Sequence, residues 1–483
     1  MRLYGMTTQT MNRRTFIQNT ALTTAAAVTT GQWAFAKQAA DFPVVRVAPG
    51  QRNFRSEAVE QTIAAVKKGI NNPELAWLFE NCFPNTLDTT VAHTTVKGKP
   101  DTYVITGDID AMWLRDSTAQ VWPYLPLMKE DKPLQQLVAG VINRQARCIR
   151  FDPYANAFYK DQTKTGEWKD DLTDMKPGLH ERKWEIDSLC YPIRLAYYYW
   201  KQTGDTTPFD ANWQEAMRTV VQTFREQQRK TGKGPYKFER RTSWATDGVP
   251  LGGYGYPAKP NGLICSMFRP SDDATIYPYL IPSNFFAVTS LRQMAELLTA
   301  LRANAALATD ARNMATDVEA ALRQHAVTTH PRFGRVYAYE VNGYGSYNLM
   351  DDANVPSLLA LPYLGAVATT DPIYQNTRKL LLSDENPFFF KGKAGEGIGG
   401  PHVGVDMIWP LSIIIRGLTS TNDAEIRQCL QTLQRANAGT GFMHESFHKD
   451  DPAKFTRKWF AWANTLFGEF ILKTFNERKS LLS

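Results

Sequence analysis

Five short stretches of this 483-residue chain crowd carboxylates, guanidinium groups, imidazoles and aromatic rings where a loop gives way to a hydrophobic periodicity. They are Gly107-Asp108-Ile109-Asp110-Ala111-Met112-Trp113-Leu114-Arg115-Asp116-Ser117, Lys183-Trp184-Glu185-Ile186-Asp187-Ser188, Phe268-Arg269-Pro270-Ser271-Asp272-Asp273-Ala274, Gly399-Gly400-Pro401-His402-Val403-Gly404-Val405-Asp406 and Gly441-Phe442-Met443-His444-Glu445-Ser446-Phe447. A ring beside a guanidinium and several carboxylates suits a sugar. Vicinal hydroxyls pair with bidentate donors and acceptors, and a pyranose face stacks on an aromatic plane. Glu445 stands in an apolar, aromatic setting with Trp459, Phe460, Trp462 and Asn464 downstream, where desolvation raises a carboxyl pKa toward values useful in proton transfer. Each stretch has a plainer reading too. Arg115 and Asp116 would be a simple ion pair, Asp116, Asp187 or Ser188 a helix cap, Asp272 and Asp273 a complement to a helix dipole, His402 a structural histidine and Glu445 a surface residue.

The rest of the inventory narrows the chemistry. There is no G-x-S-x-G elbow, phosphate-binding loop or H-E-x-x-H pair. Cys82, Cys148, Cys190, Cys265 and Cys429 lie far apart, with no C-x-x-C and no histidine at ligand spacing, so no zinc site is expected and the thiols are expected to be free and mostly buried. Carboxylates, arginine, histidine and rings remain. Cleaving an acetal needs one acid to protonate the leaving oxygen and a second carboxylate for water or the anomeric carbon, which fits glycoside hydrolysis better than any cofactor-dependent reaction.

These groups must be held by a scaffold, and the scaffold reads as helical. Amphipathic periodicity predicts helices over about 56–80, 116–128, 133–149, 187–202, 209–229, 284–304, 308–325, 354–364, 372–383, 406–417, 422–437 and 457–476, with β-rich stretches clearest at 102–106 and 335–341. Twelve helices without a repeated consensus make either a solenoid of pairs or a toroid of six outer and six inner helices. Alternate connections are long and hold the unusual residues: 103–115, 230–283, 342–353, 384–405 and 438–456. Long functional loops gathered at one end favour the all-α closed form, an (α/α)₆ barrel with long active-site loops and minor β-hairpins.

Composition sets the outer limits. A net charge of +7, from 55 Lys+Arg against 48 Asp+Glu, does not imply a nucleic-acid partner in so long a chain, whereas 12% aromatic residues, among them 12 Trp, agree with sugar stacking. The N-terminus reads as an address. Arg13-Arg14, then Phe16, the small-residue run Ala21–Thr30 and Ala34-Phe35-Ala36 resemble a twin-arginine export signal ending in an A-x-A cleavage site. Residues 1–36 are therefore expected to be removed, leaving 37–483 as one exported, periplasmic catalytic domain with no membrane insertion; oligomeric state is left open.

The motifs resemble glycoside hydrolase family 125, the metal-independent exo-α-1,6-mannosidases. The similarity rests on GDIDAMWLRDSTAQVWPYLPL from Gly107, WEIDSLCYPIRLAYYYW from Trp184, RPSDDATIYPYLIPSNFFA from Arg269, MDDANVPSLLALPYLG from Met350, GPHVGVDMIWPLSII from Gly400 and GFMHESF from Gly441. These blocks keep the family's order across residues 50–476. The resemblance implies an (α/α)₆ barrel, a mannose-containing glycan as partner, no cofactor, no metal and inversion at the anomeric carbon. It makes Glu445 the general base and places the general acid at Asp272 or Asp273, with Asp272 preferred. Asp110, Trp113, Arg115, Asp116, Asp187, Arg269, His402 and Asp406 become candidates for holding the terminal mannose. Another (α/α)₆ hydrolase, such as a glucosidase, and a non-catalytic glycan-binding protein are the alternatives; the two catalytic motifs speak against the second.

Overall fold

A computed structural model describes residues 42–483. The expected export signal and its cleavage site lie outside them. In chain order the helices are α1 (Glu57–Gly69), α2 (Pro73–Cys82), α3 (Asn85–Thr89), α4 (Leu114–Val121), α5 (Lys132–Phe151), α6 (Ile186–Thr203), α7 (Ala211–Gln227), α8 (Pro250–Gly253), α9 (Ile281–Ala300), α10 (Ala305–His325), α11 (Pro372–Leu381), α12 (Pro410–Leu418), α13 (Asp423–Ala436) and α14 (Ala461–Glu477).

Two kinds of helix alternate along the chain. Helices α5, α7, α10, α11 and α13 each start on a side-chain cap, with Asp131, Asp210, Asn304, Asp371 and Asn422 accepting from first-turn backbone N–H groups. Helices α4, α6, α9, α12 and α14 start on Trp113, Glu185, Leu280, Trp409 and Phe460, and none of these five residues caps with its side chain. Burial separates the kinds further: α4 is buried at all eight residues, whereas α1 buries only Ala58, Val59, Ile63 and Val66. The buried set forms the inner ring of an (α/α)₆ barrel, in which α4 packs on α6, α6 on α9, α12 on α14, and α14 back on α4. Between inner and outer layers runs the apolar core, filled by large side chains such as Tyr199, Trp213 and Phe224.

The barrel differs from the periodicity reading in instructive places. Residues 354–364, expected to be helical, are irregular. Asp351 takes the N–H groups of Leu358 and Leu359 at 2.8 and 3.0 Å, and Pro356 and Pro362 have none to give, so a continuous helical ladder cannot form. The segment nonetheless sits against the inner ring: Tyr191 of α6 donates to the Val355 carbonyl, and Tyr363 donates to Glu469 of α14. The expected helix 56–80 is two helices, because Pro73 holds Asn72 extended and Asn72 caps α2 instead of continuing α1. The helix expected at 406 starts at Pro410, after a left-handed Asp406 and a two-residue strand.

Loop length has one polarity throughout. Connections from an outer to an inner position are long (90–113, 152–185, 228–280, 326–353, 382–409 and 437–460), whereas the returns at 204–210, 301–304, 365–371 and 419–422 are short. All the long loops therefore meet at the N-terminal ends of the inner helices. Small antiparallel sheets brace them. Met112–Trp113 pairs with Ala157–Phe158, which pairs with Leu179–Glu181, in the register Met112↔Phe158 and Ala157↔Glu181. Met407–Ile408, Ser446–His448 and Asp451–Thr456 form a second sheet, with Ile408↔Phe447 and Ser446↔Thr456.

Candidate active site

Arg115, the second residue of α4, anchors one side of the loop face. Its Nη1 donates to Glu185 Oε2 at 2.6 Å and Asp187 Oδ2 at 3.2 Å, its Nη2 donates to Asp272 Oδ1 at 3.1 Å, and Asp116 lies 3.5 Å from Nε. Four carboxyl groups thus share one guanidinium, and three of them are almost wholly buried. Burial pushes Asp116 and Asp187 up to about 6 against the pull of Arg115, and it pushes Glu185 well above the usual carboxylate range. Asp116 and Asp187 occupy the first turns of α4 and α6, where the helix dipole favours negative charge.

The loop Arg269–Asp273 presents two neighbouring aspartates very differently. Asp272 has φ +66°, a left-handed conformation that Asp and Asn tolerate better than most residues. The turn is held by its own N–H, which donates to the Arg269 carbonyl at 2.9 Å, and by Lys183, whose Nζ donates to the Asp272 carbonyl at 2.8 Å. Asn156 adds a 3.3 Å bond to Asp272 Oδ1, and the Asp272 side chain keeps 23% of its exposure. Asp273, by contrast, is buried; its Oδ1 accepts from Thr246 at 2.7 Å and lies 3.5 Å from His402 Nδ1. Burial opposes its charge, but the bond and the charge of His402, with help from Thr246, hold Asp273 below the usual range. Reciprocally, and also against burial, Asp273 raises His402 to about 9. At neutral pH this is a carboxylate facing an imidazolium.

A second group centres on Glu445, at the start of the second sheet. Its carboxylate is buried, 3.3 Å from Arg457 Nη1, and Arg457 also donates through Nε to Asp108 at 2.9 Å. The neighbouring His444 is stacked on Phe455 with ring centroids 3.7 Å apart, and burial lowers it to about 4, so it is a neutral packing residue. Gly107 lets this side close up: at φ +118°, a Cβ there would lie 2.3 Å from the Trp459 carbonyl oxygen. The two sides communicate electrostatically, since His402 feels Asp273, Glu445 and Asp272, and Asp116 feels both Arg115 and Arg457.

Clustered carboxylates held by Arg115 and Arg457 on the loop face suit a glycosidase. Residues 72–472 match the family described as metal-independent alpha-mannosidase, GH125. The chain is a member of glycoside hydrolase family 125. It is 45% identical over 458 residues to the Meiotically up-regulated gene 157 protein of Schizosaccharomyces pombe, with 91% of this chain and 90% of that one covered. A solved metal-independent α-mannosidase of Streptococcus pneumoniae, in a non-productive complex with α-1,6-mannobiose, superposes with a TM-score of 0.85 at 41% identity, covering 88% of this chain and all of that one. A bacterial glucoamylase complexed with acarbose shares the fold at 13% identity and TM-score 0.53, over 88% of this chain and 57% of the other.

Within this α-mannosidase the remaining candidates separate by position. Trp113 immediately precedes α4, edge-on to His180 with ring centroids 5.0 Å apart. Arg269 is buried in an ion pair with Glu340, Nε to Oε1 2.7 Å, and its Nη2 is buried without a hydrogen-bond partner. Asp110 and Asp406 lie at the rim, with side chains 72% and 44% exposed, Asp110 paired with Lys164 at 3.0 Å and Asp406 4.0 Å from Lys449. The sequence reading named neither Glu185, Lys183, Asn156 nor Arg457 as a site residue. Glu185 and Lys183 lie in a stretch already marked as rich in acids and rings; Asn156 and Arg457 stand in no motif, and only the sheets bring them in. All five cysteines are free and buried. Among the described residues no group of three or more His, Cys, Asp and Glu is arranged to hold a metal ion, and no helix is long and apolar enough to cross a membrane.

Proposed function

We propose that this α-mannosidase removes a terminal α-1,6-linked mannose from the non-reducing end of glycans with inversion, Asp272 acting as general acid and Glu445 as general base. The contrast between the two aspartates carries the assignment. Asp273 is locked as an anion against His402, so it has no proton to give, whereas Asp272 reaches the pocket from a turn that other groups hold in place. Protonation of the glycosidic oxygen by Asp272 lets the C1–O bond break, while Glu445 removes a proton from a water attacking C1 from the opposite face. Asp116 Oδ2, Asp187 Oδ1 and the indole N–H groups of Trp113, Trp409 and Trp459 are buried without hydrogen-bond partners, and the hydroxyls of a mannose are matching partners for such groups. The α-1,6 linkage follows from the mannobiose bound by the Streptococcus pneumoniae relative.

With linkage-defined mannobioses as substrates, the α-1,6 isomer is expected to be cleaved fastest, and maltose-type disaccharides not at all. NMR of the first-formed product is expected to show β-mannose. If α-mannose forms first, the single-displacement mechanism is wrong even if both carboxylates prove essential.

We also infer that the enzyme is exported through a twin-arginine signal to the periplasm, supported by Arg13-Arg14, the apolar run and Ala34-Phe35-Ala36. Changing both Arg13 and Arg14 to Lys is expected to leave the precursor in the cytoplasm on cell fractionation. Normal amounts of the doubly substituted protein in the periplasm would show that another route carries it.

A further inference from the structure

Four carboxyl groups share the Arg115 guanidinium, and for the three that are buried with it charge on all at once is strongly disfavoured. Glu185 is the most enclosed. Its Oε2 accepts from Arg115 and, at 2.8 Å, from Ser188 Oγ, while its Oε1 is buried with no donor in reach. An ionised carboxylate with one bare oxygen in that position costs heavily, but a protonated one has a donor to offer. A neighbouring acceptor is Asp272: both carboxyl groups are fixed to the same guanidinium, Glu185 to Nη1 at 2.6 Å and Asp272 to Nη2 at 3.1 Å.

We propose that Glu185 and Asp272 form a carboxyl–carboxylate pair holding one proton between them, so that Glu185 is the positioning residue that keeps the general acid loaded. The idea rests on Asp272 being the acid. When Asp272 gives its proton to the departing oxygen, the C1–O bond breaks and a new O–H bond forms on the alcohol; the pair is left one proton short. The proton that Glu445 takes from the attacking water returns to solvent, and solvent reloads the pair, so the cycle balances without another reactant.

Other charges reach the pair from each packed element. Asp116 and Asp187 flank Arg115 from α4 and α6, Lys183 approaches behind the Asp272 carbonyl with Glu181 3.3 Å from its Nζ, and His180 and His402 feel Asp272 from two further loops. None of these groups is altered by Glu185→Gln, which removes only the Glu185 carboxyl. That substitution leaves Asp272 beside an Arg115 no longer shared with Glu185, which favours the ionised form of Asp272.

The test is the pH dependence of kcat/KM for α-1,6-mannobiose. Glu185→Gln is expected to move the alkaline limb to lower pH by about one unit or more, so that at a pH above the new limb the rate falls about tenfold. Ser188→Ala removes a donor to Glu185 and is expected to move the limb the other way, to higher pH. With an aryl mannoside whose phenolate leaves unaided, neither variant is expected to shift the limb. An unmoved limb in Glu185→Gln, a downward shift in Ser188→Ala, or equal losses on both substrates at every pH would overturn the pairing. Should Glu185→Gln fail to fold, as judged by circular dichroism, the direction of the Ser188→Ala shift decides alone. Asp272→Asn run alongside keeps the two ideas apart: if its loss does not depend on the leaving group, Asp272 is not the acid, and if it does while the Glu185 limb stays in place, only the pairing fails.

Discussion

Glu445→Gln is expected to lower kcat by about 10²–10⁴-fold, or roughly 3–5 kcal/mol of barrier, while the dissociation constant for mannose changes little. The effect is large because the attacking water loses the group that takes its proton. The adjacent His444, neutral by burial, is occupied in its stack on Phe455. The fold is expected to survive. A glutamine amide oxygen can accept from Arg457 Nη1 as Glu445 Oε1 does at 3.3 Å, and the backbone bond from Glu445 N–H to the Arg457 carbonyl at 3.4 Å does not involve the side chain. Base removal acts on every substrate alike, so α-1,6-mannobiose and an activated aryl mannoside should lose rate in the same proportion. Steady-state kinetics on both, with calorimetric titration of mannose, provide the measurement. A raised KM with kcat intact would make Glu445 a binding residue and move the base elsewhere.

The barrel and the face on which its long loops converge were legible in the sequence because both depend on local pattern. Apolar periodicity marks most helices, and the length of alternate loops marks the face where they converge. The exceptions have tertiary or side-chain causes. Residues 354–364 carry a helix-like apolar pattern, yet Asp351 takes two of their backbone N–H groups, and two prolines offer none. The roles of Asp272 and Asp273 cannot be separated by composition or spacing, since the same dipeptide puts one side chain on Arg115 and Asn156 and the other on Thr246 and His402, which come from loops 27 and 129 residues away from Asp273. Glu185 reads as a helix-entry acid until Arg115, 70 residues earlier, is brought against it. Arg457 follows the Glu445 motif by 12 residues, and only the hairpin between Ser446 and Thr456 folds it back. Arg269 reads as a sugar-binding guanidinium, and its Nε pairing with Glu340, 71 residues later, is a tertiary contact that no local pattern marks.

Asp272→Asn is expected to abolish most activity on α-1,6-mannobiose, by about 10²–10⁴-fold, and to leave an activated aryl mannoside far less affected. An alcohol leaving group needs the proton that Asp272 supplies, whereas a nitrophenolate departs without it. Asparagine is the right probe because it tolerates the left-handed φ of +66° at this position, so the loop keeps its shape, and its amide oxygen can still accept from Arg115. Asp273→Asn should behave differently. It removes the anion that raises His402 to about 9, so His402 titrates at lower pH, and the stability that pair supplies is weakened. The sign follows from linkage: a histidine raised in the folded state stabilises fully below its unfolded pKa of about 6.5, and that contribution fades as pH climbs through about 9. Wild-type enzyme should therefore lose part of its thermal stability between neutral pH and about pH 9, and Asp273→Asn should start lower at neutral pH and lose less over the same interval. Its activity loss should be similar for both substrates, because a distorted loop slows every substrate, while a missing proton slows only those that need one. Kinetic assays of both variants on the two substrates, with melting curves across that pH range, separate the two aspartates. Leaving-group dependence in Asp273→Asn and none in Asp272→Asn would exchange their roles.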